Sequence, residues 1–240
     1  MENLGENYSK INVQQYTFGI KFLAKVNIEA GQSVLDVGCG TGELTALLAD
    51  KVGQQGEVLG IDPDGSMIAL AKQKFKDVPN LSFVQAAISE IPLGKLYDVV
   101  FSNYVFHWIS DDQLVKDLAF IREHLMKPGA ILACEMDSTC PDQEKARQLL
   151  PKDFPRKIYY RKGEDYRGIF KRAGLTNVSF DIVDSTVVCD DMQGLRDFLY
   201  YSSNCTFDIF DESLSSVEWT KKSAGEMLYI ETTVRVLARK

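Results

Sequence analysis

Apolar and polar positions along this chain of 240 residues fall into short runs that switch between two periods. Unbroken apolar runs at 33–37, 57–61, 81–85, 97–102 and 130–135 predict short buried strands. Between them, apolar residues three and four apart predict helices. Helix 42–52 carries Leu44, Leu47 and Leu48 on one face, and helix 66–75 turns Met67, Leu70 and Ala71 inward. After Ser110, the residues Leu114, Leu118, Ile121 and Leu125 form a core stripe. Ser110 and Gln113 have the spacing of a capping box, and Lys127-Pro128-Gly129 predicts the helix stop. A further helix is predicted over 16–26.

Strands that alternate with helices, each strand an apolar run, predict a parallel sheet covered on both faces. The fold class is therefore a doubly wound α/β architecture. In such sheets ligands bind at the carboxyl ends of the strands, near the point where strand order reverses. Beyond Glu135 the regularity breaks. A helix at 163–173, a strand at 177–188, a helical stretch at 191–201 and a final alternating strand, "EMLYIETTVRVLARK", stand between irregular segments at 138–165 and 202–225. Both segments are too long for plain connectors in a compact domain, so they are expected to be functional lids.

Composition narrows the setting. A hydrophobic fraction of 45% and a charged fraction of 25% are those of an ordinary soluble globule. No apolar run approaches the roughly 20 residues of a membrane span, and Met1-Glu2-Asn3 lacks the basic-then-apolar pattern of a signal peptide. Cys39, Cys134, Cys140, Cys189 and Cys205 are odd in number, scattered and without a C-x-x-C pair. Reduced thiols in a cytoplasmic protein are expected. No His/Cys/Asp cluster has ligand spacing, so no metal is expected. A net charge of -7 argues against nucleic acid as the main partner. The chain is expected to be a monomer or weak dimer.

The chemistry gathers at "LDVGCGTGEL", where a strand gives way to a helix. A glycine-rich turn there lets a ligand approach the backbone closely and offers N–H groups at a helix N-terminus. The spacing Gly38-x-Gly40-x-Gly42 lacks the third glycine of the dinucleotide fingerprint, and no Lys-Ser/Thr pair follows as in a P-loop. Asp36 would repel a pyrophosphate and welcome a cationic amine. The ligand is expected to be poor in phosphate.

The motifs "VLDVGCGTGELT", "VLGIDPDGSMIALAK", "YDVVFSNYVFHW" and "HLMKPGAIL" occur in order over residues 30–136. Their order and spacing resemble class I S-adenosylmethionine-dependent methyltransferases. The resemblance implies a Rossmann-like, mostly parallel seven-stranded sheet whose last strand is antiparallel. It implies a single domain over 1–240, with an N-terminal cap at 1–30, a cofactor-binding core at 31–137, and lid segments and terminal strands at 138–240. It places Gly38, Gly40 and Gly42 around the methionine part of the cofactor, with Asp36 near its amino group. Asp62 would take both ribose hydroxyls, which suits an acceptor-only carboxylate. Pro63, Ser102 and Asn103 are placed against the cofactor as well. The family's acidic contact to the adenine amino group is replaced by Ala87, which leaves backbone groups around Ala87 and Ile88 for that task.

The stretch "SNYVFHWISDD" resembles the N-x-x-x-x-W segment of trans-aconitate and juvenile hormone acid methyltransferases, which act on carboxylates of small molecules. The implied partner is a small-molecule methyl acceptor, a partly apolar acid methylated on its carboxylate. Transfer to nitrogen or carbon of another small molecule, or a non-catalytic binder of S-adenosylmethionine, are the alternatives. His107 is either a general base with an ordinary pKa near 6.5 or a packed ring bonded to backbone. Trp108 walls the substrate or anchors the following helix. Tyr8 and Gln14 fold over the site or are plain surface residues. Between 144 and 172, ten Lys or Arg stand against four acids, an excess that could draw an anionic substrate. The late aromatics Phe198, Tyr200, Tyr201, Phe207, Phe210 and Trp219 suit an apolar acceptor or a core equally.

Overall fold

The computed structural model describes residues 13–139, 159, 161–189, 191, 193–194, 220–221 and 227–240. Tyr8, Cys140, Cys205, the six late aromatics and most of the two expected lid segments lie outside the described residues. So do Lys145, Arg147, Lys152, Arg156 and Lys157 of the basic stretch.

After helix α1 (Val13–Leu23), strands and helices alternate: β1 (Ser33–Val37), α2 (Glu43–Val52), β2 (Glu57–Asp62), α3 (Gly65–Lys74), β3 (Leu81–Gln85) and β4 (Tyr97–Asn103). Then come α4 (Asp111–Phe120), β5 (Met126–Ser138), α5 (Gly163–Arg172), β6 (Asn177–Cys189), the two-residue β7 (Thr220–Lys221) and β8 (Met227–Arg239). The strand order is β3-β2-β1-β4-β5-β8-β6, with β7 attached to β8. Strands β1 to β5 pair in parallel, and β8 runs antiparallel to both β5 and β6. The expected sheet of seven strands with an antiparallel last strand is the one observed, β7 being a short addition to it.

Each central strand is buried on both sides, so its alternate residues feed two cores. Val34 and Phe101 join Phe22 of α1 and Leu48 and Val52 of α2 on one face. Leu35 and Val100 join Leu114 and Leu118 of α4 and Phe170 of α5 on the other. The predicted stripe of Leu114, Leu118, Ile121 and Leu125 is fully buried. Residues 121–125 wind as a π turn rather than an α-helix. Lys127-Pro128-Gly129 does not end the helix directly. It forms a bulge inside β5, between the pairings Tyr97↔Met126 and Val99↔Ile131.

Two sequence expectations are corrected by side-chain partners. Ser110 precedes α4, yet its side chain makes no capping bond. Gln113 donates instead to Asp117 Oδ1 at 2.8 Å. In α3 the buried residues are Ile68 and Ala71, so the helix is rotated and Met67 faces elsewhere.

Strand order reverses between β1 and β4, which opens a crevice at their carboxyl ends. Gly38 leaves β1 there and Tyr104 leaves β4. Tyr104 has φ of 59°, a backbone conformation that side chains rarely adopt. Its N–H donates to Glu135 O at 2.8 Å. Strain of this kind, costing of the order of 1–3 kcal/mol, tends to collect at functional sites.

Candidate active site

The crevice is a cavity of about 790 Å³. The glycine turn forms its floor. The N–H groups of Gly38 and Cys39 both donate to Ile61 O, at 2.8 and 2.9 Å, and tie the turn to β2. Gly38 has φ of 71°, and a Cβ there would fall 2.2 Å from Val105 Cγ2. Gly42 has φ of 87° and lies so close to Phe83 that a Cβ would fall 2.7 Å from its ring. Any side chain at either position would push the turn out of place.

Asp62 closes one end. Its Oδ2 accepts from Gly40 N at 3.0 Å and its Oδ1 accepts from Asp64 N at 2.9 Å. The carboxylate lines the cavity and, being acceptor-only, would meet the donor groups of a ligand there. Beside Asp62 the wall is apolar, with Ile61, Met67 and Ile88. The rest of the wall includes Gln15, Gly40, Pro63, Ala87, Asn103, Trp108 and Tyr159. Met67, expected in the core, is a cavity residue.

Four expected site residues do not line the cavity, and each has a physical reason. Asp36 is buried behind the turn, where its Oδ2 accepts from Thr45 Oγ1 at 2.7 Å. Burial pushes its carboxyl up to about 7 against the pull of that bond, with Asp62 adding to the rise. Gly42 packs on Phe83, away from the opening. Ser102 donates to Val37 O at 3.0 Å and so joins β4 to β1. His107 is 2% exposed, and its Nδ1 accepts from Asp137 N at 3.3 Å. Burial holds the imidazole below its ordinary pKa, although Asp137 opposes this; Arg161 works in the same direction as burial.

Trp108 faces the cavity because the loop beneath it is clamped. Phe106–Trp108 form a single 3-10 turn. Arg161, itself buried, donates to Phe106 O at 3.2 Å, to Asp111 Oδ1 at 2.9 Å and to Ile109 O. Tyr159 N donates to His107 O at 2.7 Å. The basic stretch thus supplies a structural clamp at Arg161. Arg167 lies over the Phe180 ring, and Arg172 pairs with Asp112 at 3.0 Å, so these two residues are spent on the fold.

Across the opening, α1 comes close to β4. Asn103 Nδ2 donates to Gln15 O at 3.4 Å, while its buried Oδ1 has no hydrogen-bond partner among the described residues. Gln14 lies in the first turn of α1, and its side chain is outside the described part. The sequence reading missed Gln15, Asp64, Met67, Gln113, Asp117 and Tyr159. One signal was available for two of them. Ser110, Gln113 and Asp117 recur at helical spacing beside the core stripe, and all three line the cavity.

The electrostatic character of the wall is one-sided. It carries Asp62, Asp64 and Asp117, and no Lys or Arg among the described residues. No group of three His, Cys, Asp or Glu among the described residues is placed to hold a metal ion. No helix among them is long and apolar enough to cross a membrane.

These features fit S-adenosylmethionine: a glycine floor, an acceptor-only carboxylate at one end, and an apolar slot for a flat ring. Residues 34–129 match the family described as "Methyltransferase domain". A trans-aconitate 2-methyltransferase from Deinococcus radiodurans is 42% identical over 103 residues, which are 43% of this chain and 37% of that protein. A demethylmenaquinone methyltransferase from Staphylococcus saprophyticus is 28% identical over 141 residues, 55% of this chain and 58% of that protein. The chain therefore spans between 37% and 58% of the length of these two relatives. A solved SAM dependent methyltransferase from Aquifex aeolicus covers 98% of this chain and 97% of its own, with a TM-score of 0.60 at 19% identity. At that identity the likeness speaks for the fold. Residues 34–129 are thus a methyltransferase domain by their motifs, and together with the sheet order they support a class I S-adenosylmethionine-dependent methyltransferase.

Proposed function

We propose that the protein transfers the methyl group of S-adenosylmethionine to the carboxylate oxygen of a small, partly apolar acid. When bound, the cofactor supplies an electrophilic methyl group on a cationic sulfur. Gly38 and Gly40 would lie under its amino-acid part and Asp62 would hold its ribose. Trp108 and Tyr159 would then face the acceptor, exclude water and hold the reacting atoms at about 3 to 3.5 Å. Positioning of that kind can supply roughly 7 to 11 kcal/mol of a barrier.

One observation carries the choice of acceptor atom. Near Asn103 to Trp108 the described wall offers no free base, because the His107 ring is buried away from the cavity. A carboxylate, with pKa near 4, is already deprotonated at neutral pH and needs none. The likeness to a trans-aconitate 2-methyltransferase supports the same reading. Transfer then breaks the C–S bond, forms a C–O bond and cancels the two charges without moving a proton.

A second reading is favoured by the wall itself. The lack of Lys or Arg among its described residues, together with the demethylmenaquinone methyltransferase relatives, suits a neutral acceptor methylated on carbon or nitrogen. One experiment separates the readings. The protein is incubated with methyl-labelled S-adenosylmethionine and a metabolite extract, and the labelled product is treated with mild alkali. The carboxylate reading expects the label to leave as methanol from an ester. Label that resists alkali supports carbon or nitrogen. Cofactor binding with no labelled product from any extract would mark a non-catalytic binder.

A further inference from the structure

We propose that Asp117, oriented by Gln113, recognises the exocyclic amino group of the cofactor's adenine and sets the specificity for that base. The inference rests on the methyltransferase reading. With the ribose on Asp62, a flat base extends along the apolar slot of Ile61, Met67 and Ile88. The next wall is the short turn Ile88–Glu90, against which α4 packs.

Ala87, Ile88 and Ser89 of that wall line the cavity, and Ser89 alone among them has a polar side chain. Ala87 has no polar side chain, and its N–H already donates to Glu90 Oε2 at 2.8 Å. Glu90 caps that N–H through Oε2 and does not line the cavity. On the facing helix, Gln113 and Asp117 both line the cavity. Asp117 is buried, and Gln113 Nε2 fills only its Oδ1. Its Oδ2 has no hydrogen bond among the described residues. Burial of the side chain pushes the Asp117 carboxyl above its ordinary range, with Gln113 pulling the other way. An acceptor-only group at the end of an apolar slot selects a ligand edge that carries a donor. Adenine offers one in its amino group, and hypoxanthine places a carbonyl acceptor at the same position.

The test is calorimetry on the full chain with S-adenosylhomocysteine and its inosine counterpart, S-inosylhomocysteine. The wild type is expected to bind the adenosine form more tightly. Asp117→Ala is expected to lose about tenfold or more for the adenosine form and little for the inosine form. Asp117→Asn keeps the shape and presents an amide donor, so it is expected to shift preference toward the inosine form. Ala87→Asp added to Asp117→Ala is expected to restore the preference for adenosine. Melting curves confirm that each variant is folded. If the Asp117 variants bind both ligands as the wild type does, the proposal is overturned while the methyltransferase reading stands. If the wild type binds neither ligand, both fall.

Discussion

Glu135 on β5 and Arg235 on β8 are direct partners in the antiparallel ladder, and Arg235 Nε donates to Glu135 Oε1 at 2.6 Å. Both side chains are buried, and the guanidinium lies 5.9 Å from the centre of the Phe22 ring of α1. Burial pushes the Glu135 carboxyl above its ordinary value even with Arg235 pulling it down. A pair in this position is kept or lost as a unit, because removing one partner strands a buried charge. Arg235→Ala is expected to cost about 3–5 kcal/mol of stability, whereas Glu135→Met with Arg235→Met should lie much closer to the wild type. Denaturant unfolding of the three proteins measures both. A mild single variant would mean that another group compensates Glu135.

The buried Asp36 gives the protein a pH dependence of its own. Its folded pKa of about 7 lies above the ordinary 3.8, so the folded state holds a proton that the unfolded state releases. The stabilising contribution is full below about pH 4 and is lost as pH rises through about 7, on the order of 4 kcal/mol in all. Asp36→Asn can still accept from Thr45 and carries no charge to desolvate. It is expected to flatten the loss of ligand-free stability between about pH 4 and pH 8. Thermal melts across that range decide it, and a slope as steep as that of the wild type would place the titration elsewhere.

Asp62 tests where the cofactor's ribose sits. Asp62→Ala removes a charged acceptor and is expected to weaken S-adenosylhomocysteine binding by about 1.5 to 3 kcal/mol for each hydrogen bond lost. In the wild type, S-adenosylmethionine and S-adenosylhomocysteine should raise the melting temperature, while NAD and ATP should not. Unchanged affinity in the variant, read by calorimetry, would move the ribose away from Asp62.

What was legible in the sequence was local. The run Ser33–Val37 followed by Gly38, Gly40 and Gly42 announced a buried strand, a tight turn and a helix, because each requirement sits within ten residues. The same holds for the stripe of Leu114, Leu118, Ile121 and Leu125. What was illegible depends on distant partners. Met67 and Leu70 look alike as core residues until β3 and the cavity fix the rotation of α3. Ser110 and Gln113 have capping spacing, but Gln113 finds Asp117 first. Lys127-Pro128-Gly129 looks like a stop, and only the partner strand at Tyr97 and Val99 makes it a bulge. Asp117 reads as one more solvated residue on a helix until the turn at Ile88–Glu90 is placed opposite it.

His107 is the sharpest case of this kind, since its role depends on a backbone N–H thirty positions away in the sequence. The ring accepts from Asp137 N through Nδ1, its Nε2 lies 3.8 Å from Asp137 Oδ2, and the near-perpendicular ring of Tyr104 and the tilted ring of Trp108 flank it. An imidazole so buried is held neutral, because burial, aided by Arg161, outweighs the attraction of Asp137. Its folded pKa lies below the ordinary 6.5, so below that pH the unfolded state binds the extra proton and stability falls as pH drops. His107→Asn offers an oxygen close to the place of Nδ1 and cannot be protonated. The variant is expected to remove that acid-side loss. If the acceptor is a carboxylate, turnover should stay within about tenfold of the wild type and remain flat between about pH 6 and pH 9, because no proton moves in the transfer. Melting temperature and kcat, measured on the same preparation across pH, separate the two roles. A fall in kcat of about 10²-fold or more in a variant that melts normally would make the ring a participant in proton transfer, and the carboxylate reading would give way to an acceptor that must first be deprotonated.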